Sequence, residues 1–428
     1  MPPRMLPKIA DPCFFFFDSL QGAPSSVVSG STAWAATGIC HVATTSGTLR
    51  ISARNICKYP PTTLPGLVFT GRTVNRMPLQ NGRKHPNGAF GKRFGLPFAS
   101  AAPSMPLKGE PSMRRILLAL PLLAVCTEGR SETLIIGNKG EDTVSFVTLE
   151  TGKERARVPT ARMPHEVAIS PDGTQAAVVA YGGTTIDIFE VSSGERVKRL
   201  DISPNARPHG LIWLRDGRLI ATTEGSKSVT IADPRNGMVG AIATDQEGSH
   251  MVAVSTDGSR AYVANIGSGT VSVLDINART KIADIAVGGR PEGIALSADG
   301  KELWVGDLSA PRVQVVDTAT LKPVASVAVD PVAIRVAISP DGKSVVTSNV
   351  KAGTLTEIDR VSRKVRRTIS VSGSQEAAQV TILFSRDGSR LYAAETGRDQ
   401  IAEIDMATGK VVRRIAAGKN GDGLAIAP

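Results

Sequence analysis

The sequence predicts an all-β fold, a seven-bladed β-propeller of four-stranded antiparallel blades, and three observations lead there. Asp-Gly pairs recur at 172–173, 216–217, 257–258, 299–300, 341–342 and 387–388, with gaps of 44, 41, 42, 42 and 46 residues. A period in the low forties belongs to a propeller or a solenoid. Each period holds short runs rich in Val, Ile and Ala, such as GIALS, ELWVG, RVQVVD and PVASVAV, which leave no room for a helix pair. Counting those runs shows that the chain opens on a second strand and ends on a first one.

The elements follow in order. First strands are expected to begin near Val167, Leu211, Met251, Ile294, Val336, Thr381 and Leu424. Second strands are expected near Thr133, Gln175, Arg218, Ala261, Glu302, Ser344 and Leu391. Ser-Pro-Asp-Gly and its variants join the two, because aspartate bonds the turn backbone and glycine accepts the positive φ of a hairpin. Third strands alternate branched with small or polar residues, as in Val271-Ser-Val-Leu-Asp and Val313-Gln-Val-Val-Asp. A second turn, such as Thr151-Gly152-Lys153 or Thr408-Gly409-Lys410, leads to the fourth strand. The last strand, Leu424–Ala427, is then expected to complete the blade formed between Thr133 and Thr160, closing the ring. Closure removes the exposed edges of a linear stack. The propeller is expected over residues 132–428, with Trp213 and Trp304 packed between blades.

The words YVAN at 262–265, VSVLD at 271–275 and ISPDG at 169–173 and 338–342 resemble the YVTN-type β-propeller repeat. The chain is similar, over all its units, to secreted bacterial propellers of the YncE-like kind. That resemblance implies the fold. It does not by itself imply an activity, because propellers host binding, scaffolding and several chemistries.

Charge and cysteine set the first third apart. Residues 1–130 hold 15 Lys and Arg against 4 Asp and Glu, whereas residues 131–428 hold 35 of each. All four cysteines (Cys13, Cys40, Cys57 and Cys126) precede the repeats, so no disulfide or thiol chemistry is expected in the propeller. A cysteine-free body suits an oxidising compartment. Met113 begins MRRILLALPLLAVCTEGRSE, two arginines before a short apolar run and then small residues. This is the layout of a signal peptide over 113–131, too short to span a bilayer, and it implies a periplasmic or secreted protein. A lipid anchor at Cys126 is disfavoured because Val125 stands where a lipobox has a smaller residue. Residues 1–112 lack sustained periodicity and are expected to be a mistaken upstream extension or a disordered basic tail.

Seven residues before each Asp of the Asp-Gly turns stand His165, His209, His250, Glu292, Ile334 and Val380. Asp422 holds the same place in the last unit, so every propeller histidine shares one repeat position. First strands start around the axis, so these residues are expected in a ring at its mouth, in the loops entering those strands. Arg162, Arg207 and Arg290 stand two or three residues earlier, and guanidinium beside imidazole suits a small anionic ligand or an acidic protein partner. No resident cofactor is expected, a divalent metal on His165, His209 and His250 being the exception to test. Imidazole nitrogens within about 4–5 Å of one point would favour it. Asn265, Asp307 and Asn349 end second strands on the same face.

Other features carry less. The basic run Arg360–Arg367 and Arg413-Arg414 are expected on solvated outer faces. Balanced charge and few aromatics disfavour nucleic acid. There is no Cys-x-x-Cys-His, no Gly-x-x-x-x-Gly-Lys and no Gly-x-Ser-x-Gly. The expected function is therefore a non-catalytic binding or interaction module. The alternatives are a lactonase-like hydrolase using His165, His209 or Glu292 as base, and a metal-binding or redox accessory protein.

Overall fold

The computed structural model describes residues 131–428. The expected extension at 1–112, and the signal segment with Cys126, lie outside the described residues apart from Ser131. Twenty-eight strands, β1 (Thr133–Asn138) to β28 (Gly421–Ala427), form seven four-stranded antiparallel sheets. Three single-turn 3-10 segments are the only helical pieces among the described residues. No helix among those residues is long and apolar enough to cross a membrane.

The ring closes as the repeat count requires. Strand β28 pairs antiparallel with β1, Thr133 opposite Ala427 and Ile136 opposite Leu424, and β1 continues through β2 (Thr143–Thr148) and β3 (Lys153–Pro159). The first blade is therefore built from both ends of the described chain. Neighbouring blades bury apolar side chains between them. Trp304 is wholly buried against Val336, Val345 and Ile358 of the next blade, and Trp213 packs on Ala177, Ile188 and Leu200 of the preceding one, so both fill the expected place.

The Asp-Gly turns take the expected form. In the turn after the first strand of a blade, Ser170 Oγ donates to Asp172 Oδ1 (2.6 Å), as does the Thr174 amide (3.1 Å), and Gly173 has φ +76°. Ser339, Asp341 and Gly342 repeat it.

The basic outer strands face solvent as expected, and several of their cations also reach neighbouring blades. Arg413 on β27 (Lys410–Ala416) bonds Glu403 of its own blade and reaches the carbonyls of Leu149 and Glu150 in the first blade (the latter at 3.0 Å). Arg367 bonds Glu357 and the carbonyls of Met406 and Ala407, and Lys198 the carbonyl of Pro234, each in the next blade. These cations bridge blade to blade and satisfy turn carbonyls. Arg360 and Arg363 both pair with Glu302 of the preceding blade.

Innermost strands start about three residues earlier than the apolar pattern implied. They are β4 (Pro164–Ile169), β8 (Pro208–Trp213), β12 (Ser249–Val254), β16 (Pro291–Leu296), β20 (Ala333–Ile338), β24 (Gln379–Phe384) and β28. His165, His209, His250, Glu292 and Asp422 therefore sit inside strands at the axis and not in surface loops, which is why they are buried. Glycine lets these strands crowd together. A Cβ on Gly293 would stand 2.6 Å from the Arg335 Cα, and one on Gly423 would overlap the His165 carbonyl.

Candidate functional site

Seven ionisable side chains meet at the axis: His165, Glu166, His209, His250, Glu292, Arg335 and Asp422, each at most 9% exposed. The ring predicted from spacing is real. His209 lies between the other two imidazoles, with ring centroids 4.0 Å from His165 and 3.5 Å from His250. Tyr181 packs edge-on to both His165 and His209.

Glu166 and Arg335 escaped the spacing argument, and the backbone explains why. Adjacent residues on a strand ordinarily face opposite sides. The pairing of β4 with β5 (Gln175–Ala180) slips between Pro164 and Val167, and that of β20 with β21 (Ser344–Asn349) slips between Ala333 and Arg335. Such bulges re-aim side chains. Glu166 thereby joins His165 at the axis, and Arg335 takes the place that Ile334 would have held.

Arg335 ties the ring together. Its Nη1 bonds Glu292 and its Nη2 bonds Glu166 Oε1 at 3.2 Å, across the axis. On the other side Lys139 donates to Asp422 Oδ2 at 2.9 Å and Thr381 to Asp422 Oδ1 at 3.0 Å. His165 Nε2 stands 3.6 Å from Asp422 Oδ2. His250 lies between two carboxylates, with Nδ1 3.5 Å from Glu224 and Nε2 3.5 Å from Glu292.

These surroundings divide the three histidines. Burial pushes His165 down to about 3, Asp422 offsetting only part of that. Burial and the neighbouring imidazoles hold His209 well below its ordinary value. Burial also pulls on His250, but Glu224 and Glu292 outweigh it and lift it to about 8. Near neutral pH, two imidazoles are therefore uncharged and one is a cation. Asp422 would rise on burial, but Lys139 holds it below the usual carboxylate range. Burial would likewise raise Glu292, and Arg335 and His250 keep it low. Glu166 goes up, because burial there exceeds what Arg335 returns.

Several buried nitrogens have no hydrogen-bond partner: Nδ1 of His165, His209 and His250, and Nε of Arg335. The distance from His250 Nδ1 to Glu224 is too long for a good hydrogen bond. One ligand atom each from His165, Glu166 and His209 lie within 4.8 Å of one another, so the geometry groups Glu166, and not His250, with the first two histidines.

Arg162 and Arg207 do not reach the ring directly. Arg162 donates to the Gly182 carbonyl at 2.7 Å, and the Arg290 backbone amide donates to Asp307. Arg207, whose side chain is 42% exposed, bonds the Tyr181 hydroxyl and lies 4.7 Å from that ring's centroid. Tyr181 in turn donates to Glu224 Oε2 at 2.8 Å, so a polar chain runs from Arg207 at the rim to His250 at the axis. Asn265 bonds Thr270 and Ser272 of its own blade, Asp307 pairs with Arg312, and Asn349 lies against Thr354 and Thr356. These three brace blades and do not line the ring.

A model of the YNCE-like beta-propeller matches residues 119–427. The chain belongs to that family. No curated protein matches it. Among solved structures, this YNCE-like propeller is similar to a functionally unknown protein from Desulfotomaculum acetoxidans DSM 771, at 15% identity and TM-score 0.60, covering 69% of this chain and 98% of that one. It is similar to Kuenenia stuttgartiensis hydrazine synthase at 17% identity and TM-score 0.53, covering 60% and 87%. It is also similar to the dihydro-heme d1 dehydrogenase NirN in complex with DHE, at 14% identity and TM-score 0.53, covering 68% and 74%. At such identities the likeness is one of fold.

Proposed function

We propose that this propeller is a secreted or periplasmic, non-catalytic binding module that holds a small ligand in the axial ring. The observation that carries the reading is the set of buried side-chain nitrogens without partners on His165, His209 and Arg335. Buried polar groups are ordinarily hydrogen-bonded, and unpaired ones carry a free-energy cost that a guest removes. Secretion rests on the segment beginning at Met113 and on the absence of cysteine after Cys126.

Two of the fold relatives are enzymes by title, so the choice between binding and catalysis falls to the site's own chemistry. A hydrolase needs a group that takes up a proton near neutral pH. Burial leaves His165 and His209 weak bases, and Glu292 is bound by Arg335. Those three are poor bases, and His250, lifted to about 8, already carries its proton at neutral pH, which supports holding a ligand over general-base chemistry.

The test is thermal unfolding of the full chain with four separate probes: Zn²⁺, inorganic phosphate, citrate and glucose. A probe at about 100 times its Kd adds roughly 2.7 kcal/mol, several degrees in Tm. At least one probe should raise Tm in the wild type and fail to do so in His209→Gln. A Tm unmoved by all four, or raised equally in the variant, overturns the proposal.

A further inference from the structure

We propose that the axial ring binds a divalent late first-row transition-metal ion, with His165, His209 and Glu166 as its protein ligands. The inference rests on the binding module above and narrows its ligand to a class.

Geometry is the first support. Ligand atoms about 2.1 Å from a tetrahedral ion stand about 3.4 Å apart. Here one atom from each residue lies within 4.8 Å of the others, and His165 Nδ1 is already 3.9 Å from Glu166 Oε1.

The second support is the orientation of the lone pairs. A neutral imidazole has one N–H and one acceptor nitrogen. His165 Nε2 stands 3.6 Å from Asp422 Oδ2, while its Nδ1 is buried with no hydrogen-bond partner. A carboxylate behind a ligating histidine fixes tautomer and orientation at metal centres. Nδ1 of His165 and of His209 are both buried with no partner.

Charge and size are the third. Glu166, Glu224, Glu292 and Asp422 face the ring, opposed from within it by Arg335, Lys139 and His250. Arg207 also faces Glu224 from 3.9 Å, so four carboxylates meet four cations and the ring offers an anion no excess of positive charge. His209 is 1% and Asp422 0% exposed, so a guest held among them would be of atomic size. Two imidazoles with one carboxylate suit zinc, iron or copper better than magnesium or calcium. Three protein ligands leave a tetrahedral ion one position for water or a small anion.

The experiment uses untagged full-length protein, stripped with a chelator and titrated calorimetrically with Zn²⁺ in excess Mg²⁺. The expected result is about one Zn²⁺ per chain, with affinity lowered about 100-fold or more in each of His165→Gln, His209→Gln and Glu166→Gln. The double variant His41→Gln/His85→Gln, outside the propeller, should bind within about threefold of wild type. If the ring variants fail to fold, Co²⁺-loaded wild type decides, by four-coordinate d–d absorption and imidazole scattering in X-ray absorption. Absence of stoichiometric binding, retained affinity in a folded ring variant, or a six-coordinate all-oxygen Co²⁺ site each overturns the proposal. If Zn²⁺ fails while phosphate or citrate binds through His209, only the metal assignment falls. If every probe fails, the binding module falls with it.

Discussion

Replacing Arg335 with methionine is the sharpest single perturbation of the axis. The arginine is 5% exposed and bonds both Glu292 and Glu166, the latter at 3.2 Å. Methionine fills similar volume and leaves those carboxylates without their shared cation. Glu292 keeps His250 at 3.5 Å, so Glu166 is the group most exposed to the loss. Breaking a buried ion pair by removing one partner costs about 3–5 kcal/mol, and the remaining His250 contact points to about 3. At about 2 °C per kcal/mol for a domain of this size, Tm should fall by roughly 6 °C. Adding Glu166→Gln should recover about half of that, a coupling of about 1.5 kcal/mol plus the cost of Glu166→Gln alone in a double-mutant cycle followed by urea unfolding. A single variant within about 1 °C of wild type, or a double variant with simply additive losses, would refute a desolvated ion network at the axis.

Three further outcomes follow from the same geometry. His165 (about 3) and His209 lie below 6.5 in the fold, so between pH 6 and 5 the unfolded chain binds more protons and stability drops as pH falls, by up to about 2.7 kcal/mol per unit, part of it offset by Glu166. His250, raised to about 8, contributes about 2 kcal/mol that is fully present below pH 6.5 and lost as pH rises through 8. Urea midpoints should therefore peak near pH 6.5, and His209→Gln should weaken the acid limb; a flat profile from pH 5 to 9 contradicts this. Gly423→Ala should destabilise by about 3 kcal/mol, because its methyl meets the His165 backbone and not a movable side chain; near-normal chemical unfolding would contradict that crowding. Arg413→Gln should cost about 1–2 kcal/mol by freeing the Leu149 and Glu150 carbonyls at the closing seam, and faster amide exchange should concentrate in β1 to β3.

The sequence carried the ring well and the site half-way. The Asp-Gly period reports directly on turn backbone, since only a residue tolerant of positive φ fits Gly173 or Gly342, so blade number and the pairing of β28 with β1 could be counted. Histidine spacing reported the axis for the same reason. Glu166 and Arg335 were hidden because bulges at Pro164–Val167 and Ala333–Arg335 break the alternation on which a spacing argument relies. Lys139 and Thr381 come from elements that spacing alone does not aim at Asp422. Arg162 and Arg207 were close in sequence to the histidines, yet each turned to a nearer partner, a carbonyl or Tyr181. The basic outer strands were read as solvated and are, but that Arg367 and Arg413 also bridge blades was not legible, because the role depends on carbonyls far away in sequence.

Nitrogen-15 NMR of the imidazoles in metal-free full-length protein, with His41 and His85 replaced, probes the ring itself. His165 should show a neutral imidazole down to about pH 4 and His209 one that stays neutral well below pH 6.5, while His250 stays cationic until about pH 8. Three histidines titrating together near pH 6.5 would mean solvated, independent side chains, with no preorganised donor set at the axis.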